Sequence, residues 1–269
     1  MPTSRTPTGI AYDRAGPAGR APVVLLHAGV ADRRMWDPHW AGLTATHDTI
    51  RLDLRGFGES TLAPTRLDPV EDVLETLCHL GVASCHLVAA SFGAGVAVEV
   101  ALLRPGLVRS LALCPPGGSL ITEATPALRA FFAAEREALA RGDLDGAVEA
   151  NITTWVVGAG RTLGDVDPGV TASVRVMQRN AFDVTAGWAG IEEVELDPPA
   201  TERLAEISQP VLLIVGVHDL DTINLAANLL EKALPDVRRV DLPGSAHLPS
   251  MEEPEDVLRL LLDWMDAAD

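Results

Sequence analysis

The sequence predicts an α/β fold: a mostly parallel sheet of about seven to eight strands, helices on both faces and an inserted helical lid. Three observations predict it. Short continuous apolar runs, VVLLH (23–27), CHLVAA (85–90) and PVLLIVG (210–216), read as strands buried on both faces. Amphipathic helical patterns alternate with these runs, and such alternation calls for parallel strands joined by crossover helices. The alternation holds over 23–114 and 210–268 but breaks over 116–205, where helical patterns follow one another. The expected organisation is therefore a core of 1–115 and 206–269, with 116–205 as a cap or lid.

GIAYDRAG (9–16) reads as a short strand ending in turn material, and VVLLH is the first buried strand. A helix is expected around 33–45, where Met35, Trp36 and Trp40 approach helical spacing, then a strand over DTIRLDLRG (48–56). In PVEDVLETLCHLG (69–81), Val70, Val73, Leu74, Leu77 and Leu80 form one stripe, with proline opening the helix and glycine closing it. CHLVAA leads into a helix from about Gly93 to Leu103, and LVRSLALC (107–114) is the next strand. The middle carries a helix with Leu128, Phe131, Phe132 and Glu135, another from Ala147 to Val156, a Gly-rich loop, and a third helix around 170–182. ELDPPA (195–200) reads as the return linker. PVLLIVG, a helix over 223–234, a strand over 236–242 and a helix over 254–267 opened by Pro254 complete the pattern.

Composition narrows the function classes. The chain has 269 residues, 47% hydrophobic, with a net charge of −17 and Lys232 as its single lysine. Nucleic acid and anionic membranes reward clustered positive charge, so neither is an expected partner. Three cysteines without a Cys-x-x-Cys argue against a disulfide framework and against a zinc site. The N-terminal residues lack the apolar run of a signal peptide, and no stretch approaches the roughly 20 apolar residues of a membrane span. A reducing, cytoplasmic setting is expected, with a small-molecule substrate as partner and a homodimer as an assembly the sequence allows.

Four features fall where strands end, which is where open parallel sheets bind ligands. Ser91, in AASFG, lies between a strand and a helix, flanked two residues away by small Ala89 and Gly93. A nucleophile on so sharp a turn needs small neighbours, and the helix behind it offers N–H groups and a positive dipole end. The plain alternative is a serine helix cap. LHAGVADRRMW can aim a backbone N–H at a developing oxyanion, or it is simply a turn in which His27 braces the loop. Asp219 follows PVLLIVG, with His218 beside it and Asp221 as the fallback acid. His247 lies in LPGSAHLPSMEEP, between the last strand and the last helix. The order serine, acid, histidine is that of hydrolases with a nucleophile elbow.

On these motifs the sequence resembles the α/β-hydrolase superfamily over nearly the whole chain. VVLLHAG matches the oxyanion loop, AASFGAG the elbow, LLIVGVHD the acid and PGSAHLPSMEEP the histidine. LDLRGFGES is similar to a structural segment of the family, which makes Asp53 and Arg55 scaffold residues. Three departures stand out. Ala89 replaces the first elbow glycine; the loop reads His-Ala-Gly; and only one clear strand precedes 23–27, where the family has two.

The resemblance implies Ser91 as nucleophile, His247 as base and Asp219 as its orienting acid. It implies N–H groups of Gly29 and Phe92 as the oxyanion hole, with Val30 and Ala28 as alternatives to Gly29. It calls for no cofactor and no metal. A serine nucleophile disfavours dehalogenase and epoxide-hydrolase chemistry. A small carboxylic ester or lactone is the expected substrate. Carbon–carbon bond hydrolysis, or acyl-transfer, lyase or cyclising chemistry, is the alternative on the same triad, and a non-catalytic binding protein is the rival of a different class. Trp36, Phe131, Trp155 and Phe182 are candidate substrate-binding residues, with Met35, Phe132 and Met177 in reserve, although more than half of this set is expected simply to pack. Few charges fall at pocket positions, so an uncharged or weakly acidic, fairly apolar substrate is expected. Arg161, Arg175 or Arg179 could instead grip a carboxylate.

Overall fold

The computed structural model describes residues 3–268. Its strands are β1 (Ser4–Arg5), β2 (Ala11–Ala15), β3 (Val23–Leu26), β4 (Thr49–Leu52), β5 (Arg66–Leu67), β6 (Cys85–Ser91), β7 (Val108–Pro116), β8 (Glu192–Glu193), β9 (Val211–Gly216) and β10 (Val237–Leu242). Its helices are α1 (Asp37–Thr46), α2 (Pro69–His79), α3 (Phe92–Leu103), α4 (Pro126–Ala140), α5 (Leu144–Asn151), α6 (Pro168–Thr185), α7 (Asp221–Ala233), α8 (Pro249–Glu252) and α9 (Pro254–Ala268). Among the described residues, none of these helices is long and apolar enough to cross a membrane.

The main sheet has eight strands in the order β1-β2-β4-β3-β6-β7-β9-β10. The β1–β2 and β2–β4 pairs are antiparallel. From β4 to β10 every neighbouring pair is parallel. The strand missing from the sequence pattern is β1. It is two exposed polar residues at the sheet edge, so it carries no apolar signal. β5 and β8 form a separate two-stranded parallel ribbon.

Burial on both faces explains why the central strands read as unbroken apolar runs. Val23 and Leu25 of β3 enter one core with Leu212 and Ile214 of β9. Val24 and Leu26 enter the other with Val211 and Leu213. β3 has β4 on one side and β6 on the other. The chain thus reverses its direction of winding there, and the crevice at the ends of β3 and β6 is where such sheets place a ligand.

The expected helix at 33–45 is two pieces. Asp32 accepts from the Arg34 N–H at 3.0 Å and starts a 3-10 turn over Arg33–Trp36, and Pro38 then sits in the first turn of α1. The helix expected from Ala147 to Val156 also divides: α5 stops at Asn151 and a π-type turn runs over Ile152–Val157. Ile152, Thr153, Thr154, Val156 and Val157 are β-branched, and their stiff side chains crowd an ordinary helical turn.

Thr125, Asp143 and Asp167 cap α4, α5 and α6 by accepting from the N–H groups of Leu128, Gly146 and Gly169. The helices α4, α5 and α6 do not form a separate core. Leu128, Phe131, Ile152, Trp155, Val174 and Met177 join the same buried cluster as β3 and β9.

Candidate active site

β6 delivers Ser91 in an unusual backbone conformation, φ 50° and ψ −110°. Among the described residues it is the one non-glycine with positive φ, a state that costs about 1–3 kcal/mol. Its surroundings hold it there. The Gly93 N–H donates to the His27 carbonyl at 3.2 Å, and a Cβ on Gly93 would lie 2.6 Å from that oxygen. A Cβ on Gly117, beyond β7, would come within 2.9 Å of Ser91 Cα and 3.0 Å of its Oγ. Ala89 is fully buried within β6, opposite Leu26 and Leu113. Ser91 occupies the cap position of α3 but makes no capping bond. Its Oγ lies instead 2.7 Å from His247 Nε2.

The acid and the histidine arrive on two loops that are bonded together. Val217 N–H donates to the Leu242 carbonyl at 2.9 Å, and His218 N–H to the Ser245 carbonyl at 3.0 Å. A Cβ on Gly216 would meet the Ala246 carbonyl at 1.9 Å, so only glycine admits this approach. Asp219 Oδ1 accepts from the Leu220 N–H and Oδ2 from His247 Nδ1, each at 2.7 Å. A carboxylate only accepts, so Nδ1 carries the proton and Nε2 is free to accept from the Ser91 hydroxyl. Asp219 and His247 are 3% and 2% exposed, which shields the pair from competing water. The fallback acid Asp221 faces elsewhere, taking bonds from Thr125 and from the Thr222 N–H. His218 pairs with the Ala159 carbonyl at 3.1 Å.

His27 braces two loops. Its Nε2 accepts from the Leu54 N–H at 2.9 Å and its Nδ1 donates to the Ala28 carbonyl at 2.8 Å. Burial holds its pKa below the usual imidazole range, so it stays neutral. Gly29 follows, its would-be Cβ 3.5 Å from Phe92 Cβ. Phe92 is the first residue of α3 and so its N–H has no acceptor within the helix. The Ala28 N–H is already used, donating to Met35 Sδ at 3.2 Å. Asp53 and Arg55 bind framework groups: Asp53 takes the N–H groups of Arg33 and Glu59, both at 2.8 Å, and Arg55 pairs with Asp72.

Ser91 and His247 open onto a cavity of about 310 Å³ that also touches Gly29, Val30, Phe57, Phe131, Trp155 and Phe182. Trp155 holds the histidine twice: its carbonyl accepts from the His247 N–H at 3.2 Å, and its indole centroid lies 4.4 Å from the imidazole. A larger groove of about 650 Å³ runs beside α2, past Leu74, Cys78 and Arg104, and contains none of these groups.

Several expectations need correction. Trp36 is fully buried and stacks edge-on against His39 at 5.6 Å; it packs the core and does not reach the cavity. Met35 and Met177 are likewise core, and Phe132 points to solvent. The three arginines are committed within the protein. Arg161 pairs with buried Glu252, Arg175 with Glu149, and Arg179 with Asp145 and Asp183.

A profile described as "Alpha/beta hydrolase family" matches residues 23–260. The chain belongs to the α/β-hydrolase family. This α/β hydrolase is 28% identical to a provisionally named carbamate hydrolase, RutD, of Pseudomonas savastanoi pv. phaseolicola, over 92% of the chain and 95% of that protein. It is 25% identical to a pimeloyl-[acyl-carrier protein] methyl ester esterase of Edwardsiella ictaluri, over 93% of the chain and 95% of that protein. In fold it is similar to the enol-lactonase from Burkholderia xenovorans LB400, with a TM-score of 0.77 and 22% identity, covering 98% of this chain and all of that one.

The cavity includes residues the motif reading did not single out: Phe57, Glu135, Asn151 and Gln178. Part of this was legible. Glu135 lies one helical turn beyond Phe131, and Gln178 one turn before Phe182, so each pair shares a helix face. Asn151 likewise lies four residues before Trp155 in the helix expected there, whereas Phe57 had no such signal, because loop geometry places it.

Proposed function

We propose that the protein is a serine hydrolase of small carboxylic esters or lactones. One observation carries this reading: the unbroken contact from Ser91 Oγ through the His247 ring to Asp219, with 2.7 Å on each side. Ser91 attacks the acyl carbon while His247 Nε2 takes its proton. Asp219 keeps the imidazole in the required tautomer and stabilises the imidazolium. The N–H groups of Phe92 and Gly29 receive the developing oxyanion. His247 then protonates the leaving alcohol. Water, deprotonated by the same nitrogen, releases the acid and frees Ser91. Residues 116–205 serve as a lid whose Phe131, Trp155 and Phe182 form an apolar wall for the substrate. Relatives named for ester and carbamate hydrolysis support carbonyl chemistry at this site.

The test is labelling with a fluorophosphonate followed by turnover on a panel of short esters and lactones. The wild type is expected to label at Ser91 and Ser91→Ala to remain dark. Asp219→Asn is expected to lower turnover by about 10⁴, since the imidazole then loses its tautomer. A folded wild-type protein that neither labels nor turns over any member of the panel would overturn the reading.

A further inference from the structure

The cavity beside Ser91 is not uniformly apolar. Glu135 lines it, with Oε1 accepting from Asn151 Nδ2 at 2.6 Å. The Asn151 amide is also satisfied within its own helix, donating to the Ala147 carbonyl at 3.0 Å. Gln178 lines the same cavity, is 5% exposed, and its Oε1 is buried without a hydrogen-bond partner. The Gln178 oxygen is sealed away from the cavity, and Glu135 is the one carboxylate among the lining residues.

No arginine or lysine lines this cavity. Arg129 and Arg136 lie with exposed Phe132 along a separate outer groove of α4. Arg175 and Arg179 lie along another, between α5 and α6. Burial pushes the Glu135 carboxyl above the usual range, with the Asn151 bond opposing the shift in part. Keeping an unneutralised acid there costs stability, which a purely structural position would avoid by using glutamine.

The aromatic wall complements the acid. Phe131 lies 5.2 Å from Trp155, ring centre to ring centre, and Phe182 completes the lining. Aromatic faces attract cations, most strongly where water is excluded. The net charge of −17 adds a long-range field of the same preference.

We propose that the cavity selects esters or lactones carrying a protonated amine, held between the Glu135 carboxylate and the rings of Phe131, Trp155 and Phe182. This rests on the serine-hydrolase reading and replaces the expectation of a neutral or weakly acidic substrate. Glu135 sets specificity and takes no part in bond breaking.

The test uses protection of Ser91 from fluorophosphonate at pH 7.5 by alcohols of matched length. The ammonium alcohol 5-aminopentan-1-ol is compared with neutral hexan-1-ol and anionic 6-hydroxyhexanoate. Each rate is normalised to the same protein without additive. In the wild type, the ammonium alcohol is expected to protect at a concentration about tenfold below that of hexan-1-ol, with the anion weakest. Glu135→Gln, which keeps an acceptor for Asn151, is expected to abolish that preference. Glu135→Ala is expected to abolish it as well and provides a second variant should the first fail to fold. Equal or better protection by hexan-1-ol in the wild type, or a preference that survives Glu135→Gln, would overturn the proposal while leaving the hydrolase reading intact. Absence of Ser91 labelling in every sample would overturn both.

Discussion

Ser91 shows how much of a side chain's placement is decided by its neighbours' lack of atoms. Its positive φ persists because Gly93 and Gly117 let the backbones around it approach closely. Gly93→Ala would drive a methyl to 2.6 Å from the His27 carbonyl and 2.9 Å from Leu26 Cβ. Overpacking of this kind costs about 1–3 kcal/mol. Thermal denaturation should show a loss of about 2–4 °C per kcal/mol, together with slower fluorophosphonate labelling. Ala89→Gly is the informative contrast. It loosens a buried strand residue by about 0.5–1 kcal/mol, while labelling is expected to persist, because alanine already fits that position. At this scale the sequence was generous for Ser91, Asp219 and His247, which the structure brings into contact, since each follows a strand that announces itself. It was poor for Trp36, where an aromatic near a strand end reads the same whether it meets substrate or the core. Arg161 did find a carboxylate, but one belonging to Glu252.

That Arg161–Glu252 pair belongs to the scale of elements. Arg161, just past the π-type turn, also donates to the carbonyls of Val156, Val157 and Gly244 at 2.7–2.8 Å. Glu252, in α8, accepts from the Ala246 N–H at 2.9 Å, directly beside His247. One buried ion pair thus ties the segment after the π-type turn to the histidine loop. Arg161→Met would leave Glu252 buried and unpaired, a loss of about 3–5 kcal/mol. A depressed melting temperature and, on the proposed mechanism, a fall in kcat larger than any change in KM are expected, since His247 and not the pocket is displaced. Element type was legible wherever caps and periodicity agreed, as at Pro69 and Pro254. The break at Asn151 was not, because a β-branched run weakens a helix without saying where it yields. β1 was not legible either, because two polar residues at an edge carry no pattern.

At the scale of the whole molecule, alternating runs were enough to give the sheet and its helical faces. What they could not give is how the helices between β7 and β9 meet the sheet, since that contact is made by side chains far apart in sequence. Trp155 is the clearest instance, with its indole 4.4 Å from the His247 ring. An indole in van der Waals contact with an imidazole is also an optical device. The emission of an indole depends on what its ring touches, so removing the imidazole should shift the fluorescence of Trp155. The part of the signal lost in Trp155→Phe isolates that residue from the other four tryptophans of the chain, and this difference spectrum is expected to change in His247→Gln. The molecule would then report the seating of its histidine loop in light, with no substrate present.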